Sequence, residues 1–303
     1  MIVDADVLAA LDDVSRLAPL HNPVAVETLR AARDLLPDTP HVACFDTAFH
    51  ATLPEAAWRY PVPRGWAEDW GIRRFGFHGL SVQWSTTRAA ELLAGRAEDL
   101  GLVVAHLGSG SSVTAVYGGR SVWTSMGYKP LEGLMMGTRA GSIDPGILLA
   151  LLREDRLDAA RLAEDLEHRS GLVAVGGSAD MRQLAAAAAD DEDAALAIEM
   201  YAHRAAEGIA AAATSLPALH ALVFTGGIGE NAADVRARIA SRLGALGISS
   251  VRDRDDDGPL TEHGAEPVVL RIEAREDVVI AHATLDVAAA DAPNYPASES
   301  VGR

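Results

Sequence analysis

Short apolar runs alternate with helix-spaced apolar residues along this chain. Leu102–Ala105 and Val113–Tyr117 are apolar runs that contain β-branched residues, a composition that predicts buried strands. Gly118-Gly119 follows the second run and predicts a hairpin turn into a third strand at Ser121–Ser125. The other predicted strands are His41–Phe45, the alternating segment Ile72–Phe77, Ala221–Phe224, residues 246–251 and Val268–Ile272.

Helical patterns separate these runs and indicate an α/β protein. Asp144-Pro145 precedes the sequence GILLALLRE and supplies a good N-cap and a proline suited to the first helical turn. The alanine-rich stretch from Asp193 to Thr214 predicts a long helix, because alanine is the best helix former. The other predicted helices are residues 4–17, Val24–Leu36, Ser81–Leu93, Leu157–His168, Ser178 or Asp180 to about Ala189, Ala232–Leu243 and Val278–Ala289.

A glycine-serine segment, here called the first glycine loop (residues 106–110, HLGSG), joins two predicted strands. Because glycine has no Cβ, the backbone N–H groups of such a loop can approach a phosphate closely. Arg139 lies in a later glycine-containing segment and could add a positive charge. Amide donors beside an arginine suit a polyphosphate, although a simple turn would use the same glycines.

A second glycine loop (residues 225–231, TGGIGEN) joins a predicted strand to a predicted helix. A strand, a glycine turn and a helix N-terminus together are typical of an anion-binding site. The segment from Gly227 to Ala232 also satisfies the dinucleotide pattern G-x-G-x-x-G/A, and Asp253 and Asp255 follow a later predicted strand. The pattern alone therefore leaves ATP and NAD open. The chain contains no G-x-x-x-x-G-K-[ST] motif, which excludes a P-loop enzyme.

Three polar residues stand at the ends of predicted elements. Asp46 follows a predicted strand, where an acid can line a cleft or cap a helix. His78 ends another predicted strand between two glycines, which favours a place in a cleft over a structural role. Glu276 precedes a predicted helix, where it could complement the helix dipole or bind Mg²⁺ through water. Composition favours the first of these two roles for Glu276.

The composition narrows the function classes. A chain of 303 residues suits one large or two modest domains. Its formal net charge of -17 argues against a nucleic-acid or anionic-membrane surface, because phosphate backbones need clustered Lys and Arg. Cys44 is the only cysteine, which excludes an intrachain disulfide and a cysteine-based zinc site. No signal peptide or membrane span is evident, so we expect a cytoplasmic protein.

Several stretches together resemble the acetate kinase family. They are APLHNP, FDTAFH, FGFHG, HLGSGSSVTAV, TSMGYKPLEGLMMGTRAGSIDP, FTGGIGEN and EDVVIA, in this order from Ala18 to about Thr284. The string PLEGLMMGTR is highly specific to the family. The resemblance implies a two-lobed ribonuclease-H-like (actin-like ATPase) fold. Residues 1–48 and 284–303 would form a first lobe that is incomplete, and residues 49–283 would form the nucleotide-binding lobe.

The resemblance implies reversible phosphoryl transfer from ATP to acetate, which yields acetyl phosphate and ADP, with Mg²⁺ and in a homodimer. Asp46, His78 and Arg139 match the family's catalytic positions, and Glu276 matches a residue that helps to bind Mg²⁺. The positions that match the wall of the acetate pocket are Leu20, Phe77 and Pro130. The positions that match the nucleotide site are His106, Leu107, Gly108, Ser109, Gly110, Asp180, Met181, Arg182, Gly227, Ile228, Gly229, Glu230 and Asn231.

The sequence also departs from the family's pattern. The family's opening NAGSSS-type loop and its RVVHGG-like segment are not found, Ser109 stands where asparagine is usual, and Ser142 stands where aspartate is usual. A catalytically impaired nucleotide-binding remnant and a propionate kinase therefore stay open as alternatives. The two acids differ by one methylene, which an apolar pocket distinguishes by only about 1–3 kcal/mol. An NAD-dependent dehydrogenase would explain the second glycine loop but neither the first loop nor PLEGLMMGTR.

Overall fold

The computed structural model describes residues 1–14 and 22–291. The chain divides into two compact units. The larger unit consists of residues 46–275, and the smaller unit combines residues 1–45 with the segment that begins at Glu276. The lobe boundaries expected from the resemblance, after residues 48 and 283, stay a prediction.

One mixed sheet forms the centre of the larger unit. Its strands are β1 (Gly101–Leu107), β2 (Ser111–Tyr117), β3 (Arg120–Thr124), β4 (Ala221–Thr225), β5 (Gly258–Pro259) and β6 (Val268–Arg271). They lie side by side in the order β3-β2-β1-β4-β6-β5. The first three strands pair antiparallel, whereas β4 and β6 run parallel to β1. The predicted hairpin and the predicted strand after the first glycine loop are therefore confirmed.

Helices cover both units, and within residues 1–14 and 22–291 short 3₁₀ helices lie at Ala48–Thr52, Ala97–Asp99 and Gly244–Leu246. The helices are α1 (Ala5–Val14), α2 (Asn22–Leu35), α3 (Glu55–Trp58), α4 (Arg64–Trp70), α5 (Gly79–Leu92), α6 (Pro145–Arg153), α7 (Ala159–His168), α8 (Leu172–Gly176), α9 (Met181–Ala187), α10 (Glu192–Ala213), α11 (Gly226–Asn231), α12 (Ala233–Ala240) and α13 (Glu276–Asp291). Among the described residues, none of them is long and apolar enough to cross a bilayer.

The sheet is buried on both faces because successive side chains of a strand point to opposite sides. From β1, Val103 and Ala105 join a core cluster with the alanine-rich face of α10. Leu102 and Val104 join the opposite cluster, which includes α5. Six alanines of α10 are buried, and their small side chains let this helix approach the sheet closely. Apolar side chains therefore pack on both faces of the sheet and fix the positions of the strand ends relative to one another.

Side-chain caps fix the starts of three helices, two of which are predicted from the sequence. The Asp144 carboxylate accepts a hydrogen bond from Gly146 N at 2.8 Å, with Pro145 in the first turn of α6. Asp180 accepts from Arg182 N and so begins α9. Asp191 accepts from Asp193 N and Ala194 N in the first turn of α10. Of the two predicted caps for α9, the structure selects Asp180.

Three predicted strands are wrong. His41–Phe45 forms only one isolated antiparallel bridge, between Ile2 and Val42. Ile72–Phe77 is not a strand, and its backbone instead donates singly to other loops, for example from Phe75 N to Gly127 O at 3.2 Å. Residues 246–251 are also not a strand. In each case the apolar pattern is present, but no neighbouring strand offers a continuous ladder of backbone partners.

Backbone hydrogen bonds join two segments of the smaller unit. Val3 N donates to His41 O and Ala43 N donates to Met1 O, both at 2.9 Å, which joins its first residues to residues 41–43. Helices α1 and α2 contact each other through an ion pair between Asp12 and Arg30. The last residues of the predicted first helix, 15–17, lie outside the described residues.

Candidate active site

The first glycine loop is the turn between β1 and β2. Ser111 Oγ, at the start of β2, accepts from Gly108 N at 3.3 Å and donates to Gly108 O at 3.1 Å. Gly137 N donates to Ser109 O at 3.1 Å. Within the described part of the chain, the N–H groups of Ser109 and Gly110 are recorded with no protein acceptor. The loop is thus anchored at its base and presents two backbone donors at its tip.

The second glycine loop begins where β4 ends, beside β1. Because the two strands are parallel, their carboxyl ends lie at the same edge of the sheet, with His106 opposite Thr225. Gly226 has a left-handed φ of 76°, and a Cβ at this position would lie 2.8 Å from Leu107 O. Only glycine combines this conformation with such a close approach. The rest of the segment forms the short helix α11 rather than an open loop.

A buried arginine holds the far end of α11. Arg236 is 1% exposed, and its Nη1 donates to Gly229 O at 3.0 Å and to Glu230 O at 2.7 Å. These carbonyls have no partner further along the helix, so the guanidinium satisfies them. Its Nη2 also donates to Asp253 at 2.5 Å. Burial lowers the pKa of Arg236 from its ordinary value.

Asp253 is therefore engaged as an ion-pair partner, and residues 246–251 supply no strand to carry it. The dinucleotide interpretation of the second glycine loop needs an acid after a strand that is free to bind a ribose. Residues 246–251 form no strand, and Asp253 is paired with Arg236. The geometry of the second glycine loop therefore disfavours an NAD site.

A cleft of about 650 Å³, here called the main cleft, opens between the two glycine loops and α9. This volume is typical of a small-molecule site. Its lining residues are Gly108, Ser109, Ala179, Asp180, Met181, Arg182, Ala185, Gly227, Ile228, Asn231, Ala232 and Asp234. Eight of the residues predicted for the nucleotide site thus surround one cavity, although they come from three separate stretches of the chain.

The other predicted nucleotide residues do not line the main cleft. Leu107 is fully buried at the end of β1, and Gly229 is buried within α11. The Glu230 carboxylate accepts from Ala274 N at 3.0 Å. These residues support the glycine loops rather than line the cavity. Gly110 lies at the tip of the first loop, on the side of His78 and Arg139.

Two basic side chains meet at Gly110. A Cβ built on this glycine would lie 3.0 Å from Arg139 Nη2 and 3.1 Å from His78 Nε2. Arg139 is anchored by a hydrogen bond from Nη1 to Pro130 O at 2.7 Å. Burial lowers the pKa of this guanidinium, yet arginine stays charged at neutral pH. The predicted catalytic residues His78 and Arg139 are therefore brought together beside the first glycine loop.

His78 is positioned through three contacts. Its backbone has a left-handed φ of 59°, and its Nδ1 is 2.9 Å from Ser112 Oγ. Its ring stacks on His106, with centroids 4.2 Å apart. Its backbone N donates to the Asp46 carboxylate at 2.6 Å. A non-glycine residue with positive φ is uncommon and marks a place where the surroundings impose the conformation.

Asp46 caps α5 from a distant part of the chain. One carboxylate oxygen accepts from His78 N, and the other accepts from Leu80 N at 3.4 Å. The sequence left open whether Asp46 lines a cleft or caps a helix. Asp46 does cap a helix, but this helix is α5 and not the 3₁₀ segment that directly follows Asp46 in the chain. Its side chain lies against the backbone of His78. A carboxylate can accept about four hydrogen bonds, so further capacity remains.

His106 is a neutral imidazole at the base of the first glycine loop. Its Nδ1 is 2.8 Å from Ser81 Oγ. Burial, helped by the neighbouring His78, lowers the pKa of His106 to about 3. Its Nε2 lies 3.2 Å from the Cβ position of Gly226 in the second glycine loop. His106 therefore touches both loops without adding a positive charge at neutral pH.

The remaining predicted residues are placed as follows. Phe77 O accepts from His50 Nε2 at 2.9 Å, and Pro130 O holds Arg139. Leu20 lies outside the described residues. Glu276 begins α13 in the smaller unit. Among the described residues, no three His, Cys, Asp or Glu side chains form a preformed metal cluster.

The sequence did not single out the residues that hold the predicted catalytic side chains in place. Ser112, Ser81 and Ser111 support His78, His106 and Gly108, and Tyr201 and Arg236 support the loops from behind. Two of these serines stand within the quoted HLGSGSSVTAV motif, so their position could have suggested a role. Tyr201 and Arg236 lie in ordinary helical patterns that carry no such signal.

Comparison with known proteins decides the family. The acetokinase family model matches residues 1–287. The chain belongs to the acetokinase family. It is 44% identical over 298 residues to acetate kinase from Deinococcus deserti, which covers 95% of this chain and 74% of that relative. It is 45% identical to acetate kinase from Clavibacter michiganensis, over 94% of this chain and 73% of that relative.

Solved structures agree with this assignment. Acetate kinase from Porphyromonas gingivalis superposes with a TM-score of 0.88 at 33% identity, over 95% of this chain and 74% of that chain. A propionate kinase from Francisella tularensis gives a TM-score of 0.86 at 38% identity, over 93% of this chain and 73% of that chain. The predicted α/β, actin-like ATPase fold class is confirmed, and this acetokinase is a phosphotransferase of the acetate and propionate kinase type.

Proposed function

We propose that this chain is an acetate kinase that transfers a phosphoryl group reversibly between ATP and acetate. The observation that carries the proposal is the meeting of Arg139 and His78 at Gly110, on the loop that also borders the main cleft. A phosphoryl group has its charge spread over equatorial oxygens during transfer, so catalysis is mostly positioning and electrostatic stabilisation. Two basic side chains at one loop tip suit that task.

In this proposal the main cleft holds the nucleotide. Its walls combine apolar side chains such as Met181 and Ile228 with polar groups, an arrangement that suits a base and a ribose. The Ser109 and Gly110 amides would bind the phosphates, and Gly110 would deliver the terminal phosphate to Arg139 and His78. Asp46, through its contact with the His78 backbone, would keep the imidazole in place.

Mg²⁺ fits the donor types present, since it prefers a few carboxylates together with phosphate oxygens and water. We propose Glu276 as a residue that would help to hold it, as the resemblance implies. When bound, the ion would neutralise charge on the nucleotide phosphates. That Leu20, Phe77 and Pro130 wall the carboxylic-acid pocket stays a prediction from the resemblance. The homodimer and a cytoplasmic location stay predictions from the resemblance.

Propionate kinase is the second candidate, because the Francisella tularensis structure is a propionate kinase of the same fold. An apolar pocket discriminates one methylene by about 10- to 200-fold at most. Measuring kcat/KM for acetate and for propionate, with acyl phosphate trapped by hydroxylamine, would separate them. A preference for propionate would replace acetate as the assigned substrate.

The decisive experiment is ATP formation from acetyl phosphate and ADP with Mg²⁺ by the 303-residue chain. We expect turnover by the native chain and a loss of kcat of about 100-fold or more in Arg139→Ala, the scale of losing one charge-stabilising donor. Arg139→Lys keeps the charge but loses the two-point geometry and should recover only part of the rate. Arg96→Ala removes an exposed arginine elsewhere and serves as the matched control.

Two results would contradict the proposal. Equal turnover in the native chain and in Arg139→Ala would remove Arg139 from the mechanism. Saturable ADP binding without any ATP formation by the native chain would instead identify a nucleotide-binding protein without catalysis, the alternative that the departures from the family pattern leave open.

A further inference from the structure

A buried hydroxyl pair lies directly behind the first glycine loop. Tyr201, on α10, is 1% exposed, and its hydroxyl is 2.8 Å from Ser111 Oγ. Ser111 is fully buried, and its Oγ also contacts both Gly108 N and Gly108 O. A line of contacts therefore runs from the long helix through two side chains to a residue that lines the main cleft.

The direction of each hydrogen bond follows from counting donors and acceptors. A serine hydroxyl has one donor and two acceptor positions. If Ser111 donates to Gly108 O, its two acceptor positions receive Gly108 N and the Tyr201 hydroxyl. Every group is then satisfied, and the buried phenol gains the acceptor that it needs. In this arrangement Tyr201 fixes the rotation of the Ser111 hydroxyl.

Gly108 is followed by the two amides at the loop tip. In the proposed function those amides, from Ser109 and Gly110, bind the nucleotide phosphates. Their orientation depends on the peptide planes that begin at Gly108, because neighbouring residues share those planes. A hydroxyl that loses its fixed rotation would let Gly108 adopt more than one orientation. The amide donors would then be less well ordered before the ligand binds.

We propose that Tyr201 is a positioning residue for the nucleotide phosphates, acting through Ser111 on the first glycine loop. This inference rests on the proposed nucleotide site and deepens it. Tyr201 touches no ligand itself, since it is buried in the core behind β2. Its effect should therefore depend on the phosphates of the ligand and not on the nucleoside.

The test is Tyr201→Phe, which removes one oxygen atom and keeps the ring in the core. Isothermal titration should show ADP bound about fivefold more weakly, the size expected for one neutral hydrogen bond. Adenosine should bind as it does to the native chain. In the assay from acetyl phosphate, KM for ADP should rise by a similar factor with kcat nearly unchanged. Tyr117→Phe, on the exposed end of β2, is the matched control and should change none of these values.

A double-mutant cycle tests the route through Ser111. Ser111→Ala should weaken ADP binding, and adding Tyr201→Phe to it should cost little more, because residues in one hydrogen-bond chain are not additive. Equal loss of ADP and adenosine binding would indicate general damage to the main cleft and would overturn the positioning role. Native ADP affinity in Tyr201→Phe would overturn it while leaving the proposed function intact. If the native chain bound neither ligand, the nucleotide site and this inference would fail together.

Discussion

Replacing Gly110 by alanine tests the geometry at the tip of the first glycine loop. The φ of Gly110 lies outside the left-handed region, so alanine adopts this backbone without strain. The added methyl group would lie 3.0 Å from Arg139 Nη2 and 3.1 Å from His78 Nε2. Both neighbours are anchored, Arg139 by Pro130 O and His78 by Ser112. The substitution therefore acts on the two basic side chains and not on the fold of the loop.

The size of the effect follows from these distances. Favourable contacts between non-bonded heavy atoms begin at about 3.5 Å, so each of the two side chains must move away from the added methyl group by about 0.4 Å. A displacement of about 1 Å at a reacting centre costs on the order of 100-fold in rate. We therefore expect kcat for ATP formation to fall about tenfold. Overpacking of this degree should lower the free energy of unfolding by about 1 kcal/mol.

Steady-state kinetics with acetyl phosphate and ADP, beside urea denaturation, measure both quantities. Gly244→Ala is the matched control, because a Cβ there meets no atom within 4 Å and its φ is not left-handed. It should leave kcat and stability unchanged. Native kcat in Gly110→Ala would refute the conclusion that Arg139 and His78 act together at this loop tip.

Two further predictions concern stability. Arg74 is mostly buried and donates to Glu132 and to two backbone carbonyls, so Arg74→Ala should lower the free energy of unfolding in urea by about 3 kcal/mol. Arg64 forms an exposed ion pair, so Arg64→Ala should lower it by less than about 1 kcal/mol. Equal losses in the two variants would contradict the argument from burial. His106 has a folded pKa of about 3 and an ordinary unfolded value near 6.5, so the unfolded chain binds the extra proton between these pH values. The free energy of unfolding should therefore fall by about 1.4 kcal/mol per pH unit on acidification through that window. His106→Gln should reduce this slope. The control His168→Gln, at an exposed histidine, should leave the slope unchanged.

Local patterns predicted the elements whose partners are close in the chain. The antiparallel strands β1, β2 and β3 follow from apolar runs with β-branched residues and from Gly118-Gly119, and α6 follows from Asp144-Pro145. The wrong strand at Ile72–Phe77 was predicted from alternating apolar residues. It lacks a ladder because its backbone partners, such as Gly127, are single residues on irregular segments. The spacing of apolar residues shows that a segment can adopt an extended backbone. It does not show whether a partner strand lies beside that segment.

The candidate site shows the same limit. The glycine loops could be read directly, because glycine and short polar residues have local reasons for their positions. The contacts that hold them could not, since Tyr201 is 90 residues from Ser111 and Ser112 is 34 residues from His78. Asp46 is 32 residues from the amide that it accepts from. These pairs meet only because the sheet and α5 bring distant segments together.

The parallel pairing of β1 with β4 sets the distance between the two glycine loops. Each glycine loop starts at the end of one of these two strands, so their separation is set by the spacing of adjacent strands, about 4.8 Å, rather than by the loops. Side chains within either loop can change without altering that distance. A slip of one residue in the pairing would shift one loop by about 3.3 Å along the strand axis and would separate the two loops. Substitutions within the loops can therefore change ligand preference while the distance between the loops stays the same, whereas substitutions that disturb the strand pairing would alter that distance.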